Sequence, residues 1–374
     1  MDTIEATEGT TTFLVPVQDN DGQFPPGTAP VFFNRRMEIN RDANVLLLSV
    51  VQPSDYLDAM GATGVRGLRV AHEVGIPVTI NDRDPGAIPL IRENVARLGL
   101  PVTVTCRDAC SLLFEEAFDA VDIDPFGTPA PFIDAGIRGT RRFLLVTATD
   151  TAPLCGAHLR AGIRRYFARP GNTGYHAEVG LRILLGFVAR ETVKYDRGIE
   201  PLFCFAREHF VRLNLRLTRG PKAADRTLER IGFILQCPAC AYREEQAGMF
   251  PAAASCPFCG KPLRPIGPLF LGGIFSDEVL AQMQARLPGL GLGTQKELEK
   301  LLLTCREELP TSSHYDYHLV AQQLGVSPPK IEALIERLRS AGFAASRTHY
   351  SGTGVKTDAP LPVLRDAILP DCRQ

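Results

Sequence analysis

Three features that would assign a special location or class are missing from this sequence of 374 residues. The first eight residues are acidic and polar, with no basic stretch followed by an apolar one, so no secretory signal is recognisable. No segment approaches the roughly 18 uninterrupted apolar residues of a membrane span. The formal net charge is -1, so the chain as a whole does not attract nucleic acid. We therefore expect a cytoplasmic protein without a membrane segment.

Because the overall charge is balanced, a polyanionic partner would have to be bound by local groups of arginines. Two such groups occur. The first consists of Arg35, Arg36 and Arg41, and the second consists of Arg160, Arg164, Arg165 and Arg169. Ordinary solvated surface arginines explain either group equally well.

The composition indicates a globular protein of more than one domain. Hydrophobic residues make up 45% of the chain and charged residues 22%, which is the balance of a folded soluble protein. A chain of this length exceeds one ordinary core, so we expect two or three domains. There are ten cysteines. Without a secretory signal a reducing compartment is expected, and paired cysteines then indicate a metal site.

The first half of the chain alternates short apolar runs with amphipathic stretches. The runs at 56–59, 78–81, 102–105, 120–123 and 143–146 have the composition of strands, and 66–73 and 86–98 have helical spacing. This alternation predicts a doubly wound, Rossmann-like parallel α/β sheet with helices on both faces. Ligands of such sheets bind at the carboxyl ends of the strands.

The second half predicts smaller units. A helix is expected at 174–195, two strands within 202–218, and a compact cysteine-rich segment at 232–267. Helices follow at 276–285 and 295–307. The segments 318–324, 328–341 and 344–356 then have the pattern of a helix, a turn, a second helix and a two-stranded wing, which is a small α+β unit of winged-helix type.

Polar residues that follow the first three predicted strands suggest a nucleoside cofactor. The loop after the first strand contains Gly61, where the missing Cβ permits close approach of a ligand. Asp82 follows the second strand, where a carboxylate can accept from ribose hydroxyls. Asp108 follows the third and could accept from an adenine amine. This order describes S-adenosylmethionine better than NAD, although a simple turn at the loop and a helix N-cap at Asp108 remain alternatives.

The fourth predicted strand ends in Asp122-Ile123-Asp124-Pro125-Phe126, and buried acids are costly unless they are used or paired. Asp-Pro-aromatic resembles the signature of methyltransferases that act on exocyclic amines. An aryl amine is a poor nucleophile because its lone pair is delocalised, so Asp124 would accept an N–H bond and the departing proton. Phe126 would stack on a flipped-out base. The alternative is a turn after a buried strand, with Phe126 in the core.

The segment before the first strand combines aromatic and basic residues. Phe32 and Phe33 lie close to Arg35, Arg36 and Arg41, a composition suited to stacking and anion contact. Arg41 is the candidate for binding a cofactor carboxylate. An aromatic pair that merely plugs the core is the alternative.

Two pairs of cysteines have the spacing of a metal site. The four residues are Cys237, Cys240, Cys256 and Cys259, in the pattern C-x2-C-x15-C-x2-C. Four thiolates at this spacing form a closed tetrahedral site with no open position, so the prediction is a structural zinc.

Four segments together resemble the tRNA (guanine-N2)-dimethyltransferase family of archaea and eukaryotes. They are 32–42, 58–67, 124–127 and 147–156, and the similarity extends over nearly the whole chain, including 348–350 and 354–357. The resemblance implies that two methyl groups are transferred to the exocyclic amine of the guanine at tRNA position 26.

The resemblance also implies roles for individual residues. The residues implied to contact the cofactor are Arg41, Arg66, Asp82, Asp108 and Ala109. Asp124 would be catalytic, and Phe32 and Phe126 would enclose the base. One departure is Arg35, which stands where the family commonly has proline after Asn34. Without that proline the loop is expected to be less rigid than in the family.

The sequence thus predicts four segments. They are an N-terminal extension at 1–45, a methyltransferase domain at 46–230, a zinc ribbon at 231–268 and an α+β tRNA-binding domain at 269–374. Two alternatives stay open: an amine methyltransferase acting on another nucleic acid or on protein, and a non-enzymatic DNA-binding protein built from the ribbon and the winged helix.

Overall fold

The computed structural model describes residues 2–17, 31–207 and 209–370, so residues 18–30 of the predicted N-terminal extension lie outside the described part. The elements up to residue 148 are β1 Thr3–Glu8, β2 Thr11–Pro16, α1 Glu38–Val51, β3 Tyr56–Asp58, α2 Val65–Arg69, β4 Val78–Asn81, α3 Ile88–Leu98, β5 Val102–Thr105, α4 Ala109–Glu115, β6 Phe118–Ile123, α5 Ile133–Gly139 and β7 Thr140–Ala148. Short 3-10 turns lie at Arg35–Met37 and Ala130–Phe132.

The remaining elements continue the numbering. They are α6 Thr151–Leu154, α7 Leu159–Tyr166, α8 His176–Val193, β8 Arg197–Pro201, β9 Phe205–Arg207, β10 Phe210–Arg219, α9 Pro221–Leu228, β11 Ile231–Gln236, β12 Arg243–Ala247, β13 Arg264–Phe270, α10 Asp277–Arg286, α11 Gln295–Glu307, β14 Tyr315–Asp316, α12 Tyr317–Leu324, α13 Ile331–Ser340, β15 Ala345–Arg347, β16 Gly354–Thr357 and α14 Leu361–Ile368. A 3-10 turn lies at Leu287–Gly289.

The chain forms two compact units. Among the described residues, unit one contains those within 1–148, 214–217 and 276–303, and unit two contains the others. The four segments predicted from the sequence are functional divisions and stay a prediction, because compactness alone does not assign a role to a segment.

Unit one is built on a parallel sheet. Its strands lie in the order β5-β4-β3-β6-β7, followed by β10, of which residues 214–217 belong to this unit. All four neighbouring pairs from β5 to β7 are parallel. Chain order reverses between β3 and β6, so the carboxyl ends of these two strands flank the position where such sheets bind ligands. The five strands and the α/β class predicted from the sequence are confirmed.

Alternation in the sequence explains these elements. Strands β3 and β6 are buried along their whole length, as expected for strands covered by helices on both faces. The helix predicted at 66–73 is α2, which continues as a π-helical turn, Val70–Val74. Gly67 in α2 lies so close to the sheet that a Cβ there would stand 2.5 Å from Cγ1 of Ile80, which accounts for glycine in this helix.

An antiparallel hairpin, β1–β2, precedes the sheet. Its backbone at Leu14 exchanges two hydrogen bonds with the buried side chain of Asn94 on α3. Glu8 at the end of β1 is buried and forms ion pairs with Arg41 and Arg69. The hairpin is therefore an integral part of unit one.

Unit two is organised around α8, an 18-residue helix that is buried along most of its length and packs against β13. Strand β9 pairs with β10, and β8 lies beside β10 in the sheet order. The cysteine-rich segment contributes to an antiparallel sheet of order β12-β11-β13. The helix at 174–195 and the strands β9 and β10 agree with the sequence predictions, whereas β8 was not predicted.

The last hundred residues contain the predicted winged-helix pattern. Helices α12 and α13 correspond to 318–324 and 328–341, and β15 and β16 form the wing together with β14. Helix α14 is an additional element, and the helices and wing share one apolar core. Among the described residues, no helix is both long and apolar enough to span a membrane.

Candidate functional site

Three aspartates and one arginine meet at the carboxyl ends of β3 and β6. Asp58 ends β3, Asp122 lies in β6, and Asp124 follows β6 directly. Arg66 of α2 hydrogen-bonds to Asp124, and its Nη1 lies 3.6 Å from Oδ2 of Asp122. Burial alone would lower the pKa of Arg66, but the two carboxylates outweigh it and raise the pKa. Arg66 thus holds Asp124 at the strand end as a permanently charged partner.

Three carboxyl groups face a single arginine here, and the pKa of the fully buried Asp58 is raised. Burial raises the pKa of its carboxyl to about 7, with Arg66 opposing the shift and Asp122 adding to it. Its Oδ2 also accepts a hydrogen bond of 3.0 Å from the backbone N–H of Gly67. Near neutral pH this carboxyl is therefore partly protonated, and the charge of Arg66 is directed at Asp122 and Asp124.

Neighbouring polar groups fix this arrangement. Asn40 of α1 accepts from Arg66 at 3.2 Å and donates to the hydroxyl of Thr147 at 3.3 Å. The hydroxyl of Tyr56 donates to Asp122 at 2.8 Å. Asp122 is therefore a paired structural acid, whereas the side chain of Asp124 is 21% exposed and reaches the surface of the site. Asn40 was missed in the sequence, because it stands beside Arg41 and Asp42 in the polar first half of the helix, where an asparagine gives no distinct signal.

Gly61 begins the loop between β3 and α2. Its N–H donates to the carbonyl of Asn81 at 2.8 Å, and a Cβ at this position would stand 2.5 Å from Cγ2 of Ile80. Packing against β4 therefore already requires glycine here. Gly64 in the same loop has a φ of +80°, which also favours glycine.

Asp82 lies just beyond β4 and is oriented by the backbone. Its Oδ2 accepts from the N–H of Ala62 at 2.7 Å, and its Oδ1 accepts from the N–H of Asp84 at 2.8 Å. A carboxylate oxygen has two lone pairs, so both oxygens keep acceptor capacity. The structure thus brings the predicted ribose acid against the glycine loop.

Asp108 is the N-cap of α4, which is the alternative weighed from the sequence. Its Oδ1 accepts from the N–H of Ser111 at 2.9 Å and from the Ser111 hydroxyl at 3.2 Å. Oδ2 has no hydrogen-bond partner within the described ranges. Ala109 is the first residue of α4 and is buried. Capping occupies one oxygen of Asp108 and leaves the other for a ligand.

Asn81, the last residue of β4, joins three strand ends and was not predicted to have a role. Its Nδ2 donates to the carbonyls of Ala59 and Arg107, both at 3.0 Å. Its Oδ1 accepts from the Thr105 hydroxyl at 2.8 Å and from the Arg107 N–H at 3.1 Å. All four hydrogen-bonding positions of the amide are thus used inside the protein. Asn81 is a positioning residue for the loops that follow β3 and β5.

Phe32 and Phe126 lie together, although 94 positions separate them in the sequence. Their ring centroids are 4.2 Å apart and the planes are nearly perpendicular, at 81°. Phe126 is 69% exposed, which excludes the alternative that it belongs to the core. In this structure the rings contact each other edge to face, so a base can stack between them only after they separate. Phe33, by contrast, is buried against Phe13.

Arg41 is engaged by the N-terminal hairpin. Its Nε and Nη2 bind the carboxylate of Glu8, and Nη2 also donates to the carbonyl of Asn34 at 2.9 Å. Only Nη1 has no partner among the residues described. The predicted contact of Arg41 with a cofactor carboxylate would therefore have to use Nη1 or replace Glu8.

The four paired cysteines converge in unit two. The Sγ atoms of Cys237 and Cys259 are 3.4 Å apart, those of Cys240 and Cys256 are 3.6 Å apart, and all four lie within 4.8 Å of one another. A zinc ion about 2.3 Å from four thiolates in a tetrahedron separates the sulfurs by about 3.8 Å. The observed cluster fits this geometry, and the four protein ligands leave no open position.

A second group, Cys305, Glu308 and His349, has its donor atoms equally close. The carboxylate of Glu308 already receives donors from Thr348, His349 and Lys356. Its lone pairs are therefore used within the protein, and the Lys356 ammonium at 3.0 Å opposes a cation. This group is a buried ionic cluster rather than a metal site.

The same cluster continues to α8. Glu178 accepts from Lys356 at 2.7 Å, from His314 at 2.9 Å and from Arg182 at 3.0 Å. Two acids thus face one lysine and one arginine, so the charges balance. Burial opposes ionisation of Glu178, but Lys356 and Arg182 outweigh it and hold the pKa well below its usual value. The segments 348–350 and 354–357, singled out in the sequence, contribute to this network.

Comparison with known proteins identifies the family. The model of the family described as N2,N2-dimethylguanosine tRNA methyltransferase matches residues 10–369. A protein of Methanoregula boonei named tRNA (guanine(26)-N(2))-dimethyltransferase is 91% identical over 98% of each chain. A protein of the same name from Methanoculleus marisnigri is 62% identical, covering 98% of this chain and 99% of its own.

A solved structure agrees with the sequence matches. The complex of Trm1 from Pyrococcus horikoshii with S-adenosyl-L-methionine is 35% identical and has a TM-score of 0.89, covering 98% of this chain and 99% of that chain. Sequence and structure therefore match over nearly the full length, across both compact units. This chain belongs to the N2,N2-dimethylguanosine tRNA methyltransferase family.

Proposed function

We propose that this chain transfers two methyl groups from S-adenosylmethionine to the exocyclic N2 amine of guanine 26 in tRNA, giving N2,N2-dimethylguanosine. The family membership and the names of the relatives support the reaction and the substrate. The observation that carries the proposal is the position of Asp124, held by Arg66 beside the exposed Phe126 at the strand end where ligands of this fold bind.

The cofactor site consists of the loops after β3, β4 and β5. Bound S-adenosylmethionine supplies an electrophilic methyl group on a sulfonium centre. Asp82, oriented by the Ala62 N–H, would accept from the ribose hydroxyls, and Oδ2 of Asp108 would accept from the adenine amine. Gly61, Arg66 and Ala109 would complete the walls, and Nη1 of Arg41 would bind the carboxylate. The Pyrococcus horikoshii protein, solved in complex with S-adenosyl-L-methionine, supports this choice of cofactor.

Asp124 would act on the guanine amine. Its carboxylate would accept a hydrogen bond from one N–H, which directs the nitrogen lone pair away from the acid and toward the methyl group. As the new N–C bond forms, the bond between the methyl group and the sulfonium would break to leave S-adenosylhomocysteine, and Asp124 would take the proton released from the amine. Such positioned proton acceptance contributes about 10²- to 10⁴-fold. Pro125 restricts the backbone directly after Asp124, which helps to keep the Asp124 carboxylate in one orientation.

Phe32 and Phe126 would hold the base. The ring centroids are 4.2 Å apart and Phe126 is mostly exposed, so enclosing a base costs one edge-to-face contact and requires one ring to rotate until the two faces are parallel. An extruded guanine placed between them would recover that cost by stacking.

We further propose that the four-cysteine cluster binds a structural zinc ion. The sulfur separations of 3.4 and 3.6 Å and the closed thiolate donor set support this assignment. The zinc ribbon at 231–268 would stabilise unit two, and residues 269–374, with their winged-helix pattern, would contribute to tRNA binding. A cytoplasmic location is part of the proposal, because tRNA is used in translation there.

The test is nucleoside analysis by mass spectrometry. Unmodified tRNA transcript is incubated with the protein and S-adenosylmethionine carrying a labelled methyl group, and Asp124→Asn serves as the matched control. We expect labelled N2-methyl- and N2,N2-dimethylguanosine with the wild-type protein, and loss of both when guanine 26 is replaced by adenine. Label in another nucleoside, or in the protein itself, would instead support a different amine substrate.

The non-enzymatic alternative makes the opposite prediction. A DNA-binding protein of ribbon and winged-helix type would bind duplex DNA tightly and would not consume S-adenosylmethionine. It would also leave the pairing of Arg66 with Asp124 without a use, whereas the family match includes this segment.

A further inference from the structure

Unit two contains a cavity of about 460 Å³ that neither the proposed reaction nor the cysteine cluster accounts for. Its walls come from the segment 169–175, from the cysteine knuckle around Pro238, from the first residues of β13 and from the start of α12. This volume is within the range of sites that bind small molecules or single groups of a larger ligand.

The lining of the cavity is electropositive. Three arginines line it, namely Arg169, Arg243 and Arg264, against a single carboxylate, Asp316. Asp316 caps α12 by accepting from the N–H groups of His318 and Leu319, and it also accepts from the Thr353 hydroxyl. Arg169 and Arg264 are exposed, and neither side chain forms an ion pair in the described part of the chain. An anion would therefore meet cations whose charge is not neutralised by the protein.

Arg243 is held in one orientation by aromatic rings. Its guanidinium carbon lies 3.7 Å from the ring centroid of Tyr315 and 4.4 Å from that of Tyr175. Its Nε donates to the Ser313 hydroxyl at 2.6 Å, whereas its Nη2 is buried without a hydrogen-bond partner among the described residues. A buried donor left unpaired destabilises the fold. The two rings and the Ser313 hydroxyl therefore hold the guanidinium of Arg243 as a fixed cation in the wall of the cavity.

The surface next to the cavity suits a nucleic-acid chain rather than a free small anion. Leu159 of α7 lines the cavity, Ile163 lies one turn further along the same helical face, and Phe167 follows directly after the end of the helix. Phe167 is 72% exposed. Arg160 and Arg164 lie on one side of Leu159 and Ile163 on the same helix. An exposed aromatic ring close to arginines is typical of surfaces that stack bases and contact phosphates.

We propose that this cavity binds one nucleotide of the tRNA substrate, with its phosphate at Arg169, Arg264 and the positive charge of Arg243, and that Phe167 stacks on an adjacent base. Arginine forks match phosphate oxygens, and the apolar wall at Ile266 and Leu319 gives the nucleoside a surface to pack against. The inference rests on the proposed function for the identity of the RNA, since the cavity chemistry by itself specifies a nucleotide.

The experiment measures binding of a labelled, unmodified tRNA transcript by fluorescence anisotropy across a salt series. The test protein is the double variant Arg169→Gln/Arg264→Gln. The matched control is Lys222→Gln/Arg226→Gln, which removes two exposed positive charges from α9 of the same unit, away from the cavity lining. Because all four side chains are exposed, both doubles should fold, and thermal melting checks this.

We expect the slope of log K against log salt to fall by about one for the cavity double and to stay at the wild-type value for the control. The KM for tRNA should rise about tenfold or more in the cavity double, with kcat at saturating tRNA unchanged. Phe167→Ala should weaken tRNA binding at least about fivefold with an unchanged salt slope. Equal salt slopes for the two doubles would overturn the proposal.

Two further outcomes are informative. One distinguishes a free nucleotide from tRNA as the ligand of the cavity, and the other distinguishes this inference from the proposed methyl transfer. Equilibrium dialysis with GMP shows whether the cavity serves a free nucleotide. If the cavity double loses GMP binding but keeps wild-type tRNA affinity, the RNA assignment is wrong. If wild-type protein binds tRNA through the cavity but transfers no methyl group, the proposed reaction fails and this inference stands.

Discussion

At the scale of single residues, three aspartates around one arginine differ in charge and in exposure. Arg66 pairs with Asp122 and Asp124, while burial raises the pKa of Asp58 to about 7. Asp122 is completely buried and Asp124 is not, so only Asp124 can meet a substrate. The chemical type of these residues is the same, and the difference lies in what surrounds each one.

Asp124→Ala is expected to reduce the rate of methyl transfer by about 10²- to 10⁴-fold, because the proton acceptor is removed. The affinity for S-adenosylmethionine should stay within a few-fold of wild type, since Arg66 keeps Asp122 as a partner. Single-turnover kinetics measures the first quantity and isothermal titration calorimetry the second. Near-normal turnover would show that another group accepts the proton.

At the scale of elements, the ends of the strands are tied together before any ligand binds. Asn81 connects the chain after β3, β4 and β5 through four hydrogen bonds, and the Asp82 carboxylate fixes the glycine loop through Ala62. Both sets of hydrogen bonds join segments that are twenty or more positions apart in the sequence. The loops around the proposed cofactor site are therefore pre-organised by side chains that need not touch the cofactor.

Asn81→Ala should lower the free energy of unfolding by about 2 kcal/mol, because the buried carbonyl of Ala59 and the half-buried backbone groups of Arg107 lose their partners. Urea unfolding measures this change. Thr105→Val is the graded control, since it removes a single hydrogen bond to the same side chain and should cost about 1 kcal/mol. Equal effects of the two variants would show that Asn81 is not the connecting residue.

The zinc ribbon is expected to be a stabilising element that the cofactor site does not need. Cys237→Ser/Cys256→Ser should release the metal and lower thermal stability, because structural zinc sites contribute folding free energy. S-adenosylmethionine affinity should stay within a few-fold of wild type, since all four cysteines belong to unit two and the proposed cofactor residues to unit one.

Atomic emission spectroscopy and calorimetry measure these two properties of the double variant. Cys106→Ser is the control, because Cys106 is exposed and lies outside the cluster, and it should retain the metal. If the double variant lost cofactor binding, the ribbon would have to be regarded as part of the catalytic unit.

At the scale of the whole molecule, stability depends on a buried ionic cluster in unit two. Lys356 connects Glu178 of α8 with Glu308. Burial opposes ionisation of Glu308, but His349 and Lys356 outweigh it and lower the pKa of this carboxyl to about 2. Burial also lowers the pKa of His314, so this imidazole is neutral in the fold near neutral pH. Segments from three regions of the sequence thus meet at one set of balanced charges.

Acid should therefore destabilise the protein through this cluster. The depressed carboxylate pKa values contribute stability above the unfolded value of 4.5, and this contribution is lost as the pH falls through about 2. Neutral His314 acts in the same direction below 6.5, because the unfolded chain then binds the additional proton. For Glu308 the contribution is roughly 3 kcal/mol.

Urea unfolding at a series of pH values measures this effect. Glu308→Gln should flatten the decline of stability between pH 5 and about pH 2 while lowering stability at pH 7. The adjacent, exposed Glu307→Gln is the matched control and should leave the pH profile unchanged. A wild-type profile in Glu308→Gln would exclude the cluster as the source of acid sensitivity.

Local patterns in the sequence were sufficient for the five central strands and for the types of chemistry, but the hairpin β1–β2 and the helices α1 and α14 were not predicted. The strand alternation, the Asp124-Pro125-Phe126 ending and the cysteine spacing each depend on residues close together in the chain, and period and spacing are readable without a fold. The family resemblance added the substrate because long combined motifs are specific. Strand β8 was missed, since a short run that contains Gly198 and Pro201 has little strand character.

The tertiary structure alone decided which of the predicted groups are paired. Arg66 reaches Asp124 across 58 positions, Phe32 meets Phe126, Arg41 is taken by Glu8, and Lys356 reaches Glu178 across 178 positions. Whether a charge is available, neutralised or protonated depends on burial and on partners within a few ångströms. Such partners come together only when the chain folds, so the sequence specifies the groups and the fold specifies their state.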